Sequence, residues 1–300
     1  MTNRPIASKI IVGVDGSDTS IEALRWAAYE ACRRGISVLI VSCYSVPIYG
    51  IQEAGAHQTR EDLAMFEKGA VVIVRQATEL VAEIDPHVVV DVMTTLSAAA
   101  VAISEAAHAG DEIVVGATGH SGFMDGLLGS VTTGVVHRSH VPVIVVPAKP
   151  AVAAGATMRK IVIGLDGSPA SLAALDWAYE QALLTGAELT AVHGWIYPYP
   201  GQRTAVRSAR AQMQLDAMEQ LKTALESLGV LLSSGPIHVH PRLVEKSAVD
   251  ALLDEAKDAD LVVIGSRGRG ALRSTLVGSV SHSVAQHANC PVVIIREADA

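Results

Sequence analysis

The chain has 300 residues, of which 50% are hydrophobic and 18% are charged, and it carries a net charge of −8 at pH 7. This composition excludes a disordered chain, and the acidic balance argues against nucleic acid or an anionic membrane as a general partner. Because we find no secretory signal, no apolar run of about 18 residues and no disulfide framework, the sequence predicts a cytoplasmic protein without a membrane partner.

Short strand-like runs alternate with longer helical runs through the first half of the chain. The predicted strands cover 9–14, 38–43, 88–92, 112–115 and 143–146, and the predicted helices cover 20–34, 60–83, 98–108 and 131–138. Gly35 is expected to end the first helix. Cys32 and Cys43 fall in the first helix and the second strand, where buried free thiols are expected. Strands that alternate with helices predict βαβ units and a mainly parallel sheet.

The second half of the chain repeats the first. KIIVGVDGSD at 9–18 returns as KIVIGLDGSP at 160–169, and strands are predicted near 160–165, 188–193, 237–243, 260–264 and 292–295. The repeat is much longer than a solenoid unit of roughly 20–50 residues, so it indicates tandem domains. We predict one domain at 1–148, a linker of small residues at 149–158 and a second domain at 159–300.

A second signature, rich in glycine, follows the fourth predicted strand of each half. It reads Gly116-x2-Gly119-x9-Gly129-Ser130 in the first half and Gly265-x2-Gly268-x9-Gly278-Ser279 in the second. Glycines reach backbone conformations closed to other residues and let a ligand approach closely, while a helix N-terminus attracts anions. The pattern predicts a phosphate cradle in which the two serines cap the helix, bind phosphate, or do both. A duplicated structural loop is the alternative.

Other nucleotide motifs fit the sequence poorly. Neither glycine-rich loop has the lysine of a Walker motif, and Arg273 stands at the third glycine of a Rossmann fingerprint. Several histidines lie at predicted helix ends, where they are interpreted as capping residues. They are His137, His140, His282 and His287.

The Val-Gly-Val-Asp-Gly-Ser run at 12–17 and the long glycine spacing together resemble the universal stress protein family. The resemblance is to the tandem form with an ATP-binding motif in each half. It implies an α/β fold with two doubly wound, five-stranded parallel sheets in the order 3-2-1-4-5, which is adenine nucleotide alpha hydrolase-like or Rossmann-like. In this order the topological switch point lies between strands 1 and 4, where open α/β sheets bind ligands.

The resemblance also implies one adenine nucleotide site in each half. The first site would comprise Gly13, Val14, Asp15, Cys43, Gly116, Ala117, Thr118, Gly119, His120, Gly129, Ser130 and Val131. The second would comprise Gly164, Leu165, Asp166, Gly194, Gly265, Ser266, Arg267, Gly268, Arg269, Gly278, Ser279 and Val280. Asp15 and Asp166 would hold a nucleotide-bound Mg²⁺, or would only brace the turn that follows them.

The two glycine-rich loops differ in charge. Arg267 and Arg269 stand in the second half where Thr118 and His120 stand in the first. Arginine donates charge-assisted hydrogen bonds to phosphate. We therefore expect the second site to favour ATP over AMP more strongly than the first site does.

These motifs come without a catalytic constellation. The sequence shows no recurring Ser/His/Asp order, no Cys–His pair and no acidic cluster typical of two-metal phosphoryl transfer. We expect an ATP-binding stress-response or signalling protein that is not an enzyme, with Mg²⁺ accompanying the nucleotide. The alternatives are a slow ATP-hydrolysing or adenylylating enzyme of related fold, and a scaffold that binds partners without using nucleotide.

The fifth predicted strands, 143–146 and 292–295, are short, β-branched and uncharged. The family's sheet order makes them edge strands, which have to be covered or paired. The resemblance implies that the two domains pair these strands and make the monomer a pseudo-dimer. Further association into a homodimer would use other surfaces.

Overall fold

The computed structural model describes residues 8–45, 60–119, 127–197, 206–227, 236–268 and 278–296. The chain divides into two compact units, Asn3–Lys149 and Pro150–Ala300. The strands of the first unit are β1 (Lys9–Gly13), β2 (Ser37–Tyr44), β3 (Val90–Leu96), β4 (Glu112–Gly116) and β5 (Val143–Val146). Its helices are α1 (Asp18–Arg34), α2 (Arg60–Ile84), α3 (Ala99–Glu105) and α4 (Ser130–Arg138).

The second unit repeats this order of elements. Its strands are β6 (Lys160–Gly164), β7 (Glu188–Gly194), β8 (Val239–Val244), β9 (Leu261–Gly265) and β10 (Val292–Ile295). Its helices are α5 (Pro169–Thr185), α6 (Val206–Glu226), α7 (Ala248–Glu255) and α8 (Ser279–His287). Within the described ranges, none of the helices in either unit combines the length and apolarity that crossing a bilayer requires.

Each unit contains a parallel five-stranded sheet. The strands lie in the order β3-β2-β1-β4-β5 in the first unit and β8-β7-β6-β9-β10 in the second. Every strand pair described within a unit is parallel. Ile11 of β1 lies opposite Leu39 of β2 and Ile113 of β4. The predicted fold class is confirmed, and the switch point lies between β1 and β4, and between β6 and β9.

The central strands β1 and β4 are apolar after their first residues, Lys9 and Glu112, because helices cover both faces of a parallel sheet. Ile10, Ile11 and Val12 of β1 are fully buried. The outer strand β3 instead leaves Val92 and Leu96 exposed. It also runs later in the chain than predicted, because its pairing with β2 continues as far as Leu96 opposite Tyr44.

The helix that follows the first strand of each unit begins and ends where its sequence directs. Ser17 caps α1 by accepting a hydrogen bond from the Ser20 backbone N–H. Gly35 ends α1 with φ of +65°, a conformation that suits glycine. Cys32, near that end, is exposed and donates to Asp85 Oδ2 at 2.9 Å, so the expectation of a buried thiol there is wrong.

The first unit contains a buried ion-pair network that its repeat lacks. Arg34 Nε lies 2.5 Å from Glu30 Oε1, and Arg34 Nη1 lies 3.0 Å from Glu112 Oε2. The three side chains are only 2–6% exposed. Burial acts to lower the pKa of Arg34, but the carboxylates of Glu112 and Glu30 together outweigh it and raise that pKa. The same positions of the second unit hold a glutamine, a threonine and a leucine, namely Gln181, Thr185 and Leu261.

Candidate functional site

An aspartate-glycine turn leads from the first strand of each unit into the helix that follows. Gly16 has φ of +85°, which an L side chain rarely adopts. Asp15 Oδ1 accepts hydrogen bonds from the Ser17 backbone N–H at 3.0 Å and from Ser17 Oγ at 2.6 Å. In the second unit, Asp166 Oδ1 accepts from the Ser168 N–H at 2.9 Å. One oxygen of each aspartate therefore braces this turn.

The other carboxylate oxygen of each aspartate lies against the glycine-rich loop. A Cβ added to Gly119 would lie 3.1 Å from Asp15 Oδ2, and one added to Gly268 would lie closer still to Asp166 Oδ2. Over the described residues, no group of three His, Cys, Asp or Glu side chains could hold a metal ion. A magnesium role for either aspartate would thus use one carboxylate and the ligand's own oxygens, and it stays a prediction.

The first glycine of each loop permits a close approach between backbones. A Cβ on Gly116 would lie 2.8 Å from the carbonyl carbon and oxygen of Thr19 in α1. A Cβ on Gly265 would lie 2.8 Å from the carbonyl carbon of Ala170 in α5. Because the obstacles are backbone atoms, no side chain can turn aside to make room. These glycines bring the loop against the helix that follows the first strand.

Gly129 and Gly278, and not the serines after them, are the N-caps of α4 and α8. Their φ values of −61° and −72° are open to any residue, so backbone freedom does not explain glycine at these two positions. Of the alternatives given for Ser130 and Ser279, helix capping is wrong, because both are the first helical residues. Both serines are exposed and line a cavity.

Side chains outside the predicted set hold each loop in place. Thr132 Oγ1 donates to the Gly116 carbonyl at 2.6 Å, and Thr19 Oγ1 donates to the Thr118 carbonyl. In the second unit, Ser281 Oγ lies 2.9 Å from the Gly278 carbonyl and 3.2 Å from the Ser266 carbonyl, and it donates its one proton to either of these loop carbonyls. The sequence offered a signal for Thr132 and Ser281, since both are hydroxyl residues at the same point of the repeat.

A cavity of about 250 Å³ lies among these elements in the first unit. The predicted residues that line it are Gly13, Val14, Asp15, Cys43, Gly116, Thr118, Gly119, Gly129, Ser130 and Val131. Ala117 is absent from the lining and accepts the Gly129 N–H at 2.8 Å through its carbonyl. His120 lies outside the described residues. The lining residues that sequence reasoning missed are Ser20, Val41, Ala99, Ile103, Val115 and Thr132.

The corresponding cavity of the second unit measures about 800 Å³. The predicted residues that line it are Gly164, Leu165, Asp166, Gly194, Gly265, Ser266, Arg267, Gly268, Gly278, Ser279 and Val280. Arg269 lies outside the described residues. The lining residues that were missed are Ser171, Val192, His193, Ala248, Leu252, Ile264, Ser281, His282 and Ser283.

His282 does not cap a helix end as the sequence suggested. It is the fourth residue of α8 and lines the cavity, whereas His287 at the end of α8 contacts the Ser283 carbonyl through Nδ1 at 2.8 Å. The apolar lining residues gave no distinct signal, because valine and leucine on helices and strands look the same whether they pack in a core or beside a ligand.

The second strand of each unit ends differently at the cavity. Burial raises the pKa of the half-buried Cys43 thiol, which keeps it neutral near pH 7. In the second unit, the buried His193 donates from Nδ1 to the Leu165 carbonyl at 2.5 Å. A Cβ on Gly194 would lie 2.9 Å from Ala248 Cα, so glycine lets α7 approach the strand.

Arg267 brings an unsatisfied donor to the second cavity. Its Nε atom is buried and has no hydrogen-bond partner among the described residues. A buried donor without a partner costs about 1–3 kcal/mol. The residue lines the cavity, where the guanidinium places a positive charge that favours an anionic ligand. Thr118 at the equivalent place in the first unit offers no such charge.

Both units match one family of known proteins. Residues 7–147 and 157–296 each match the universal stress protein family. A universal stress protein of Mycolicibacterium smegmatis is 33% identical over 291 residues, which cover 96% of either chain. One from Mycobacterium tuberculosis is 29% identical over 301 residues, covering 96% of this chain and 97% of that one. A crystal structure of a universal stress protein from Archaeoglobus fulgidus, at 20% identity, covers 98% of both chains with a TM-score of 0.69 and shows the same fold.

Proposed function

From the fact that this chain belongs to the universal stress protein family, we propose that each half binds one adenine nucleotide and that the bound nucleotide governs its role in the stress response. The proposal is supported by three structural features that come together in both units. An aspartate turn, a closely packed glycine-rich loop and a helix N-terminus meet at the switch point of each sheet, around a cavity. This is where open α/β sheets bind ligands and where backbone N–H groups favour phosphate.

The residues present fit a nucleotide. The cavity of the second unit, at about 800 Å³, lies within the range of roughly 300–1,000 Å³ that is typical of small-molecule sites. Val192, Leu252 and Ile264 offer apolar surface for a base, and the guanidinium of Arg267 offers charge for phosphate. Mg²⁺ would bind the phosphates and one carboxylate, from Asp15 or Asp166, which suits an ion that keeps most of its waters.

We infer that the protein acts through the nucleotide that it binds, and not by consuming that nucleotide in a catalysed reaction. Three polar side chains next to the loops are engaged with backbone: Thr132 and Ser281 donate to loop carbonyls, and His193 donates to Leu165. None of these groups is arranged as a nucleophile beside its base. ATP hydrolysis well above a slow background would favour the alternative of an enzyme with a related fold.

Calorimetric titration with ATP tests the proposal directly. We expect close to two nucleotides per chain, either as one class of site or as two. Both units contain the aspartate turn, the glycine-rich loop and the helix N-terminus around a cavity. Mass spectrometry of small molecules released from the purified protein should identify an adenine nucleotide. If ATP, ADP and AMP all fail to bind at millimolar concentration, the proposal is wrong.

Replacing Arg267 with threonine should weaken ATP binding at the second site by roughly 10- to 150-fold. The estimate follows from about 1.5–3 kcal/mol for a charge-assisted hydrogen bond, with each 1.4 kcal/mol worth tenfold. AMP should lose less, since it has fewer phosphate oxygens to contact. The control is Arg242→Thr, since Arg242 pairs with Glu255 outside the cavity. Equal losses of affinity for ATP and AMP would show that Arg267 does not contact the phosphates that distinguish ATP from AMP.

A further inference from the structure

The two units differ in the packing of the helix pair that borders the cavity. In the first unit, a Cβ added to Gly134 of α4 would lie 2.6 Å from Ala100 Cβ of α3. Real Cβ atoms do not approach so closely, so any side chain at position 134 would push the two helices apart. Glycine and alanine therefore hold α3 and α4 in tight contact at this point, one turn beyond the residues of α4 that line the first cavity.

The equivalent residues of the second unit are both larger. Val249 stands where Ala100 stands, and Ser283 stands where Gly134 stands. Ser283 lines the cavity together with Leu252 and His282, so the space between α7 and α8 is continuous with the site. At the matching points of α4, neither Thr133 nor Gly134 is part of the first cavity's lining.

We propose that the second half is the high-affinity nucleotide site of this chain, because the cleft between α7 and α8 adds room and a polar contact that the first half lacks. This inference rests on the proposed nucleotide function. The cavity of about 250 Å³ in the first unit falls below the usual range for small-molecule sites, and the cavity of about 800 Å³ lies inside it. A nucleotide at the first site leaves more of its surface in water and gains less from burial.

His282 is the specificity-determining residue of the cleft. Imidazole is a hydrogen-bonding group that lines the cleft beside Ser283 and the apolar Leu252. It can contact the hydroxyls or phosphate oxygens of a nucleotide. Thr133, at the same position of the repeat, cannot make this contact, because it is not part of the first cavity.

The test isolates each site with a substitution that fills the other loop. Gly278→Glu leaves only the first site, and Gly129→Glu leaves only the second. We expect ATP to bind the second site with a Kd at least about tenfold lower, which is about 1.4 kcal/mol. Equal affinities, or a tighter first site, would overturn the inference and leave the proposed function intact. Absence of ATP binding by the native chain would instead overturn the proposed function itself.

Substitutions in the cleft give a second readout. In the Gly129→Glu background, His282→Thr should raise the Kd for ATP about five- to tenfold. The matched control is Thr133→His in the Gly278→Glu background, which should leave the Kd within about twofold. A His282→Thr variant with unchanged affinity would contradict the role assigned to the cleft.

Gly134→Ser in the Gly278→Glu background tests the helix spacing. By forcing α3 and α4 apart, it should tighten ATP binding at the first site toward the value of the second. A thermal melt monitored by circular dichroism shows whether the variant folds. A folded variant with unchanged affinity would mean that helix spacing does not set the difference between the sites.

Discussion

Replacing Arg34 with threonine is expected to destabilise the first unit by about 3–5 kcal/mol, the typical cost of removing one partner from a buried ion pair. The variant leaves the carboxylate of Glu112, only 5% exposed, without the guanidinium that lies 3.0 Å from it. Glu30 loses one of two arginines, since it also pairs with Arg33. Threonine is the residue that the repeat places at this position, as Thr185.

The second unit supplies the matched control for this prediction. A triple variant, Glu30→Gln, Arg34→Thr and Glu112→Leu, installs the neutral set found in the repeat. Replacing a whole buried ion pair with packed neutral residues is often neutral or stabilising. We therefore expect the triple variant to recover most of the stability that Arg34→Thr loses. If the triple variant is as unstable as the single one, the loss comes from packing and not from an uncompensated charge.

Hydrogen exchange measures both variants in the intact chain. Amides of β1 and β4 exchange by opening of the first unit, so their rates report its free energy of unfolding. A loss of about 3–5 kcal/mol should speed their exchange by roughly two to four powers of ten. The strands β6 and β9 of the second unit serve as the internal reference within each sample. Unchanged rates in β1 and β4 of Arg34→Thr would contradict the prediction.

The parts of the fold that depend on local sequence were predictable. The apolar run of β1 and Gly35 at the end of α1 each act through neighbours a few residues away, so their roles could be inferred from the chain alone. The repeat strengthened each inference, since a feature that recurs at the same spacing is unlikely to be incidental. The predicted boundaries of β3 were less accurate, because its last residues are held in the strand by pairing with β2, which the local sequence does not show.

The features that depend on distant residues could not be predicted. Position 116 has no room for a side chain because the Thr19 backbone lies against it. Position 134 has none because Ala100 of another helix lies there. A glycine-rich sequence shows that space is needed, but the fold decides whether a ligand or a neighbouring backbone fills it. For this reason the sequence could not show whether these glycines supply backbone freedom or room for a close neighbour.

Substituting glutamate for Gly129 or Gly278 is expected to abolish nucleotide binding at the altered site, with at least about a 100-fold loss of affinity. A glutamate side chain would enter the space proposed for phosphate and place like charge beside it, which costs several kcal/mol. The fold should tolerate the change in the first unit. A Cβ at Gly129 would make an ordinary 3.4 Å contact with Thr118 Cα, and its φ of −61° suits any residue.

Alanine at the same positions separates the effect of charge from the effect of shape. Gly129→Ala should retain nucleotide binding at the first site. Alanine has less room at position 278, since its Cβ would lie 3.2 Å from the Ser266 carbonyl oxygen. We therefore expect Gly278→Ala to cause a modest loss of folding stability. Calorimetry should give two nucleotides for the native chain, one for each single glutamate variant and none for the double variant. A stoichiometry that stays at two in both single variants would place the phosphate away from these loops, because the carboxylate could not share the cavity with it.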